Sequence, residues 1–153
     1  MSSITGLNKT LQTINKAVNK RRLTDVIDRL SEIGYENAKV AYDLADYVYG
    51  KDVKVTVTKI RDGKAVVARG KSVLFIEYGS GIRYGYGHPE PGQYGPSTWS
   101  EGPNGSGHWD NPNGWTIPGT RIHTYGNPPA MAMYEAGKEI RRNIPSVVKG
   151  YLK

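Results

Sequence analysis

The apolar residues between Leu23 and Tyr49 recur at three- and four-residue steps, which is the spacing of one face of an α-helix. The sequence therefore predicts a long amphipathic helix over this range. Gly34 lowers the helix propensity near its centre and predicts a bend, and Gly50 predicts the C-terminal stop. The apolar face comprises Leu23, Val26, Ile27, Leu30, Ile33, Ala38, Ala41, Leu44, Ala45 and Val48.

A second, shorter helix is predicted ahead of it, over residues 8–20, where apolar residues again fall on one side. These are Leu7, Leu11, Ile14 and Val18. The run NKRR at 19–22 then indicates a junction between the two helices. Thr24 and Asp25 are residue types that cap a helix N-terminus, so we expect the long helix to begin beside them.

After Gly50 the apolar period shortens to two residues, which is typical of a β-strand with one buried face. The alternating residues are Val53, Val55 and Val57. Residues 61–64, with the sequence RDGK, predict a hairpin turn centred on Asp62 and Gly63, and AVVAR then predicts the return strand. Residues 71–79 are nearly all apolar in their middle, so we expect a third strand at the centre of the sheet.

The C-terminal part of the chain predicts one more strand and a helix. Residues 120–125 have the composition of a strand, and GNPP at 126–129 predicts a turn with Pro129 at the first helical position. The final helix is expected over Ala130–Val148. Because Pro145 cannot donate a helical hydrogen bond, we expect a kink or an early end just before it.

These elements predict a single α+β domain of 153 residues. N-terminal helices (1–50) and a C-terminal helix (within 120–153) are expected to pack on one small, mostly antiparallel sheet. The sheet takes its strands from 51–78 and from the start of the last segment. A long loop rich in glycine, proline and aromatic residues fills 79–119.

That loop has too much glycine and proline for regular structure, yet it is rich in the aromatic residues that are enriched at protein interfaces. Long loops inside compact domains are commonly functional. We expect this one to order against its own domain or against a neighbouring subunit. The candidate interface residues are Tyr84, Tyr86, Tyr94, Trp99, Trp109 and Trp115.

The formal net charge of +7 is unevenly distributed. Residues 1–34 and 127–153 each carry +3, whereas residues 79–126 carry −1. Basic ends of this kind favour a polyanion such as DNA or an acidic protein surface. The candidate basic contacts are Arg21, Arg22, Arg141 and Arg142.

Candidate chemistry is sparse. The chain has no cysteine, which excludes disulfides and thiolate zinc sites, and we expect neither a secretory signal nor a membrane span. The histidines His88, His108 and His123 have no compact metal-ligand spacing. Glu77 with Asp110 or Glu90 is a candidate carboxylate pair for glycoside hydrolysis, with a structural carboxylate as the alternative. We expect no catalytic residue, no metal, no cofactor and no enzymatic activity.

Two short motifs bracket the loop. The first is FIEYGSG, Phe75–Gly81, and the second is HTYGNPPAMAMYEAGKEI, His123–Ile140. Together, behind a helical N-terminal region, they resemble a family of small structural proteins of long-tailed bacteriophages, described as tail-completion, neck or head–tail joining components. The family's common form has E-F-G-T-G and P-F-M-R-P-A. The matching positions here are Glu77–Gly81, with Tyr78 in place of Phe, and Ala130–Ala136, where Met131 or Met133 stands for the Phe-Met pair and no second proline precedes Ala136.

The resemblance implies a non-enzymatic virion protein that forms a ring of six or twelve copies at the head–tail interface and joins the neck to the tail tube. The implied partners are copies of itself, neck proteins, tail-tube or tail-terminator proteins, and genomic DNA in the channel, with no membrane. Assembly would take place in the cytoplasm of the bacterial host. A tail terminator or head-closure protein is a close alternative, and a glycan- or DNA-binding module is an alternative of another class.

The resemblance also selects a set of structural motif residues. In this interpretation Gly79 and Gly81 allow a sharp turn off the central strand, and Glu77 anchors that turn by accepting backbone hydrogen bonds. Pro128, Pro129, Met131 and Met133 seat the last helix against the sheet. The full set is Glu77, Tyr78, Gly79, Gly81, Pro128, Pro129, Met131 and Met133.

Overall fold

The computed structural model describes residues 2–45, 52–81, 88–90, 111–117 and 119–151, with the side chains of the first helix described from Gln12 onward. The elements are α1 (Ser2–Leu44), β1 (Lys54–Ile60), β2 (Gly63–Arg69), α2 (Val73–Tyr78), β3 (Trp115–Thr116), β4 (His123–Thr124) and α3 (Ala132–Tyr151). The predicted α+β class is confirmed. In the described part of the chain, however, the strands form two separate two-stranded antiparallel sheets, β1–β2 and β3–β4.

The first helix is continuous, so the predicted junction at 19–22 is wrong. Thr24 does not cap a helix start, because its hydroxyl donates to the carbonyl oxygen of Lys20 at 2.9 Å and so stays within the helical pattern. Gly34 has a packing role: a Cβ built there would lie 2.5 Å from Cδ1 of Ile140 in α3. The predicted stop at Gly50 lies outside the described residues.

The buried face of α1 agrees with the predicted one in its middle and differs at its ends. Val26 and Ala38 are buried as predicted, and Tyr42 is buried beside them, whereas Leu23 and Leu44 are 56% and 77% exposed. The two exposed leucines lie at the ends of the helical segment that α3 and the hairpin cover. The spacing of apolar residues in the sequence does not show at which residues the contact of α1 with α3 and the hairpin begins and ends.

The hairpin of β1 and β2 forms as predicted, with its turn one residue earlier. Ile60 pairs with Gly63, so the turn residues are Arg61 and Asp62. Val55 pairs with Ala68, and both residues pack against the core. The hairpin therefore covers one side of α1 with its small apolar face.

The predicted central strand over 71–79 is wrong, because Val73–Tyr78 is a short helix, α2. The amide of Ile76 donates to the carbonyl oxygen of Ser72 at 2.9 Å. One helical turn places Val73 and Ile76 together against the core. A short apolar run has no periodicity that separates a buried strand from a buried helical turn.

The C-terminal elements differ from prediction mainly at their ends. The predicted strand 120–125 shortens to β4, which pairs with β3. Helix α3 begins at Ala132, so Pro129 is not its first residue, and it continues through Pro145 to Tyr151. The expected early end is wrong, since this side of the helix is exposed and water can satisfy the carbonyl group that proline leaves without a donor.

The core lies where three helices meet the hairpin. Tyr42 of α1, Ile76 of α2 and Ala132 of α3 form its buried centre. The partly buried residues around it are Ala41, Ala45, Val53, Val55, Ala68, Val73, Ala130 and Met133. Helix α3 packs along the second half of α1, so the junction of α2 and α3 sits at one end of this pair.

Gly34 and Gly137 allow a matched test of the α1–α3 contact. Both lie inside helices, so changing either to alanine gains similar helix propensity, up to about 1 kcal/mol. A Cβ at Gly137 meets only the far end of Arg141, at 3.9 Å, whereas one at Gly34 overlaps Ile140. We expect Gly34→Ala to be less stable than Gly137→Ala by about 1–3 kcal/mol in urea unfolding. Equal stability would contradict close packing at Gly34.

Candidate functional site

The most concentrated set of buried polar groups surrounds the side chain of Glu77. This residue lies near the end of α2 and is 6% exposed. Tyr42, His88 and the first turn of α3 surround its carboxylate. We call these groups the Glu77 centre.

The Glu77 carboxylate caps the N-terminus of α3. Its Oε2 accepts the backbone N–H of Met133 at 2.8 Å, and its Oε1 accepts that of Tyr134 at 2.9 Å. The first N–H groups of a helix have no partner within the helix, and the helix dipole favours a negative group there. Glu77 therefore performs the role of an N-cap side chain from another element.

Two side-chain donors approach the same oxygens. His88 Nε2 lies 3.3 Å from Oε1, and the hydroxyl of Tyr42 lies 3.5 Å from Oε2, which is long for a hydrogen bond. A carboxylate offers about four lone-pair directions. Each oxygen of Glu77 thus has two donors, and the carboxylate is saturated by groups of its own chain.

His88 connects the segment after α2 to the Glu77 centre. It is 6% exposed, and its Nδ1 accepts the backbone N–H of Glu90 at 3.0 Å. This assigns the proton to Nε2, which donates to Glu77. The imidazole ring lies between the rings of Tyr78 and Tyr134, at centroid distances of 4.5 and 5.3 Å.

Tyr42 remains protonated in this environment. Burial is the main cause that raises the pKa of its hydroxyl, and the charge of Glu77 and the contact with it raise the pKa further. The neutral phenol is therefore a donor toward Glu77 over the whole physiological pH range.

Backbone contacts join α2 to the start of α3 in the same sense, with amides of the later segment donating to acceptors of α2. The amides of Ala130 and Met131 donate to the carbonyl oxygens of Ile76 and Glu77 at 2.7 and 3.2 Å. Met131 has a φ of +52°, an uncommon value for a residue with a side chain. The surrounding hydrogen bonds hold it in place, and its own carbonyl oxygen accepts the amide of Glu135 at 2.9 Å.

The Gly-Ser-Gly sequence after α2 brings a second pair of segments together. Ser80 and Asn127 exchange backbone hydrogen bonds of 2.9 and 3.0 Å. Gly79 and Gly81 have φ values of +76° and +80°, and a Cβ at Gly79 would lie 2.7 Å from the carbonyl oxygen of Asn127. Only glycine combines these angles with so close an approach.

The structure thus brings together the residues of the two sequence motifs. Glu77 contacts α3 and not the turn at 79–81, and the glycines turn the chain off a helix and not off a strand. Met133 and Ala130 pack against the core beside the hairpin.

The other candidate residues lie elsewhere. Trp115 is on β3, half-buried and paired with Thr124, and the remaining candidate interface aromatics, Tyr84, Tyr86, Tyr94, Trp99 and Trp109, lie outside the described residues. Arg21 and Arg22 are on α1. Arg141 and Arg142 are on α3 and exposed, and Arg142 pairs with Glu139 at 3.4 Å.

Sequence reasoning missed Tyr42 and the structural role of His88. Tyr42 follows Ala38 by four residues, so the helical period could have placed it on the buried face. His88 carries no comparable signal, because its position depends on the path of an irregular segment.

The described residues contain no group of three His, Asp or Glu side chains that could hold a metal ion. Glu90, a candidate carboxylate partner of Glu77, is exposed, and its contact with the centre is made by its amide. The other candidate partner, Asp110, lies outside the described residues. No helix in the described ranges is long and apolar enough to cross a membrane.

Comparison of the chain with protein-family models, with curated proteins and with solved structures finds no match. The interpretation of the Glu77 centre therefore rests on its geometry and on the sequence motifs that form it.

Removing the Glu77 carboxylate should loosen α3. In Glu77→Ala the two backbone amides and the Nε2–H of His88 lose their acceptor while buried, and we expect a loss of about 3 kcal/mol or more of unfolding free energy. Glu77→Gln keeps the shape and one oxygen and should recover only part of this. Hydrogen exchange at Met133 and Tyr134 should accelerate in both variants. Glu36→Ala, at an exposed position of α1, is the control and should stay within about 0.5 kcal/mol.

The raised pKa of Tyr42 predicts a loss of stability at alkaline pH. A tyrosine in the unfolded chain ionises near pH 10, whereas the folded state keeps Tyr42 neutral to a higher pH. The stabilisation that comes from keeping Tyr42 neutral is therefore complete below about pH 10. As the pH rises from there toward the pKa of Tyr42 in the folded state, the free energy of unfolding falls by up to about 1.4 kcal/mol per pH unit. Urea unfolding at pH 8 and pH 11 should show a smaller decrease for Tyr42→Phe than for the wild type. Parallel decreases would contradict this account.

Proposed function

We propose that this chain is a structural protein of a long-tailed bacteriophage that forms a ring at the head–tail junction and joins the neck to the tail tube. It has no catalytic role in this proposal. A tail terminator or head-closure protein is the neighbouring role within the same class.

One observation carries most of the support: the two motifs behind the phage resemblance form a single contact in space. The first motif supplies Glu77 and the glycine turn, and the second supplies the amides that Glu77 caps. Residues 56 and 57 positions apart are joined directly by this side chain. Two short motifs that contact each other in the fold are a more specific indication of the family than two short matches at unrelated places.

The saturation of the carboxylate supports a structural role over hydrolysis. A general acid or nucleophile must contact its substrate, but both oxygens of Glu77 are buried and engaged by donors of the chain itself. Glu77 thus has the environment of a residue that orients a helix.

The surfaces support assembly with other proteins. The exposed apolar side chains include Ile14, Val18, Val40, Leu44 and Ile122, and such exposed groups can contribute to contacts with neighbours. The four candidate basic contacts lie on α1 and α3, with Arg21 and Arg141 exposed. These can face acidic neighbours or DNA in the channel.

The proposal is tested by the mass of the purified protein and by electron microscopy. A ring of six or twelve subunits of 16.9 kDa should give roughly 100 or 200 kDa in light scattering. Negative-stain images should show rings, and mixing with tail tubes of the phage that encodes the chain should place a cap at one tube end. A protein that stays monomeric and binds neither tubes nor necks contradicts the proposal.

Two other results would replace this proposal with a different function. Binding to cell-wall glycan that Trp115→Ala abolishes and Trp115→Phe retains would indicate a sugar-binding module. Tight, steeply salt-dependent binding to free DNA that is lost in Arg21→Gln with Arg22→Gln would indicate a DNA-binding protein.

A further inference from the structure

His88 uses the two nitrogens of its ring in opposite ways. Its Nδ1 accepts the backbone N–H of Glu90 at 3.0 Å, and its Nε2 donates to Oε1 of Glu77 at 3.3 Å. The first contact closes a tight turn, because it joins positions that are two residues apart. We call residues 88–90 the His88 turn. One ring offers an acceptor and a donor at the same time only while the imidazole is neutral.

Protonation of His88 is incompatible with the contact that closes the turn. An imidazolium donates from both nitrogens, so its new Nδ1–H would face the N–H of Glu90 across the present distance of 3.0 Å. Two donors cannot form a hydrogen bond with each other. In the charged state, therefore, either the ring or the Glu90 amide has to move.

The surroundings of His88 decide which of the two moves. The ring is 6% exposed and lies between the rings of Tyr78 and Tyr134, whereas Pro89 and Glu90 are exposed. Rotating the ring would disturb packed groups on two helices, but turning the Glu90 amide exposes it to water, which can accept its hydrogen bond. The amide is thus the part that yields.

The second contact of His88 is compatible with protonation. Nε2 carries a hydrogen in the neutral and in the charged ring, so it continues to donate to Oε1 of Glu77. Protonation turns this contact into a buried ion pair, and a hydrogen bond between charged groups is stronger than one from a neutral donor. A proton on His88 therefore weakens one of its contacts and strengthens the other.

The groups around the ring leave His88 as the residue type that responds near neutral pH. Glu90 has an exposed side chain, and histidine is the side chain that ordinarily changes charge between about pH 5 and pH 8. The described titratable groups that face His88 or its partner Glu77 come from three helices: Tyr42 of α1, Glu77 and Tyr78 of α2, and Tyr134 of α3.

We propose that the His88 turn is a pH-sensitive switch, in which protonation of His88 releases the Glu90 amide while the ring stays on Glu77. The turn is closed at neutral and alkaline pH and opens as the pH falls. The cap of α3 stays in place, because Glu77 continues to accept the amides of Met133 and Tyr134. Neither contact of His88 involves the role at the head–tail junction, so the switch and the proposed function can fail independently.

An NMR titration of the full chain from about pH 8 to pH 5 tests the switch. The ring nitrogens of His88 should change from the neutral pattern with the proton on Nε2 to the imidazolium pattern. The amide proton of Glu90 should shift with the same midpoint, and its protection against hydrogen exchange should fall at least about threefold. The protection of the Met133 and Tyr134 amides should not change.

Two variants separate the contacts of the ring. His88→Asn has a side-chain oxygen that can take the place of Nδ1, so the Glu90 amide should stay protected at both ends of the titration. His88→Gln has a side-chain amide that can donate to Glu77 in place of Nε2 but leaves Glu90 without its acceptor, so that amide should be unprotected throughout. His123→Asn changes an exposed histidine and should leave the titration of Glu90 as in the wild type.

Three results would overturn the proposal. The first is a His88 ring that stays neutral down to pH 5, and the second is a Glu90 amide that does not follow the ring. The third is a loss of protection at Met133 and Tyr134 with the same midpoint as at Glu90, since this would mean that acid disrupts the whole Glu77 centre.

Discussion

The described structure depends on one buried carboxylate. Burying a charge is costly unless hydrogen bonds replace its hydration, and Glu77 recovers this cost only when α1, the segment at His88 and the first turn of α3 are all in place. The four donors come from three different parts of the chain. The carboxylate therefore links the positions of these three segments and makes their assembly interdependent.

The short helix α2 fills part of the core and also positions Glu77 for its contacts with α3. One helical turn directs Ile76 into the core and Glu77 toward α3. In an extended strand, neighbouring side chains point to opposite faces, and the consecutive carbonyl groups of Ile76 and Glu77 would point to opposite sides of the strand. They could not both accept from the adjacent amides of Ala130 and Met131. Met131, with its positive φ, lies in the same contact between α2 and α3. Hydrogen bonds on both sides of this residue offset its backbone strain.

Local patterns predicted the parts of this fold that are themselves local. The helical period placed α1 and α3, and alternation with a turn placed the hairpin. The continuity of α1 through Arg21 and Arg22 was not predictable, since charged residues suit both a junction and a solvated helix. The motif around Glu77 indicated the site, but Tyr42 lies 35 residues from Glu77 and His88 lies 11 residues from it. The sequence around Tyr42 and the sequence around His88 do not indicate that both side chains contact Glu77. Only the three-dimensional structure shows these contacts.

The molecule separates the contacts that fold it from those that are free for association. The second half of α1 is held by α3, the hairpin and the Glu77 centre, and its buried residues face these elements. The first half of the same helix leaves Ile14 and Val18 exposed. A change at Ile14 or Val18 thus alters the surface of the chain without touching the core. A change at Glu77 removes hydrogen bonds inside the packed part of the molecule, so the two halves of α1 respond to substitution for different physical reasons.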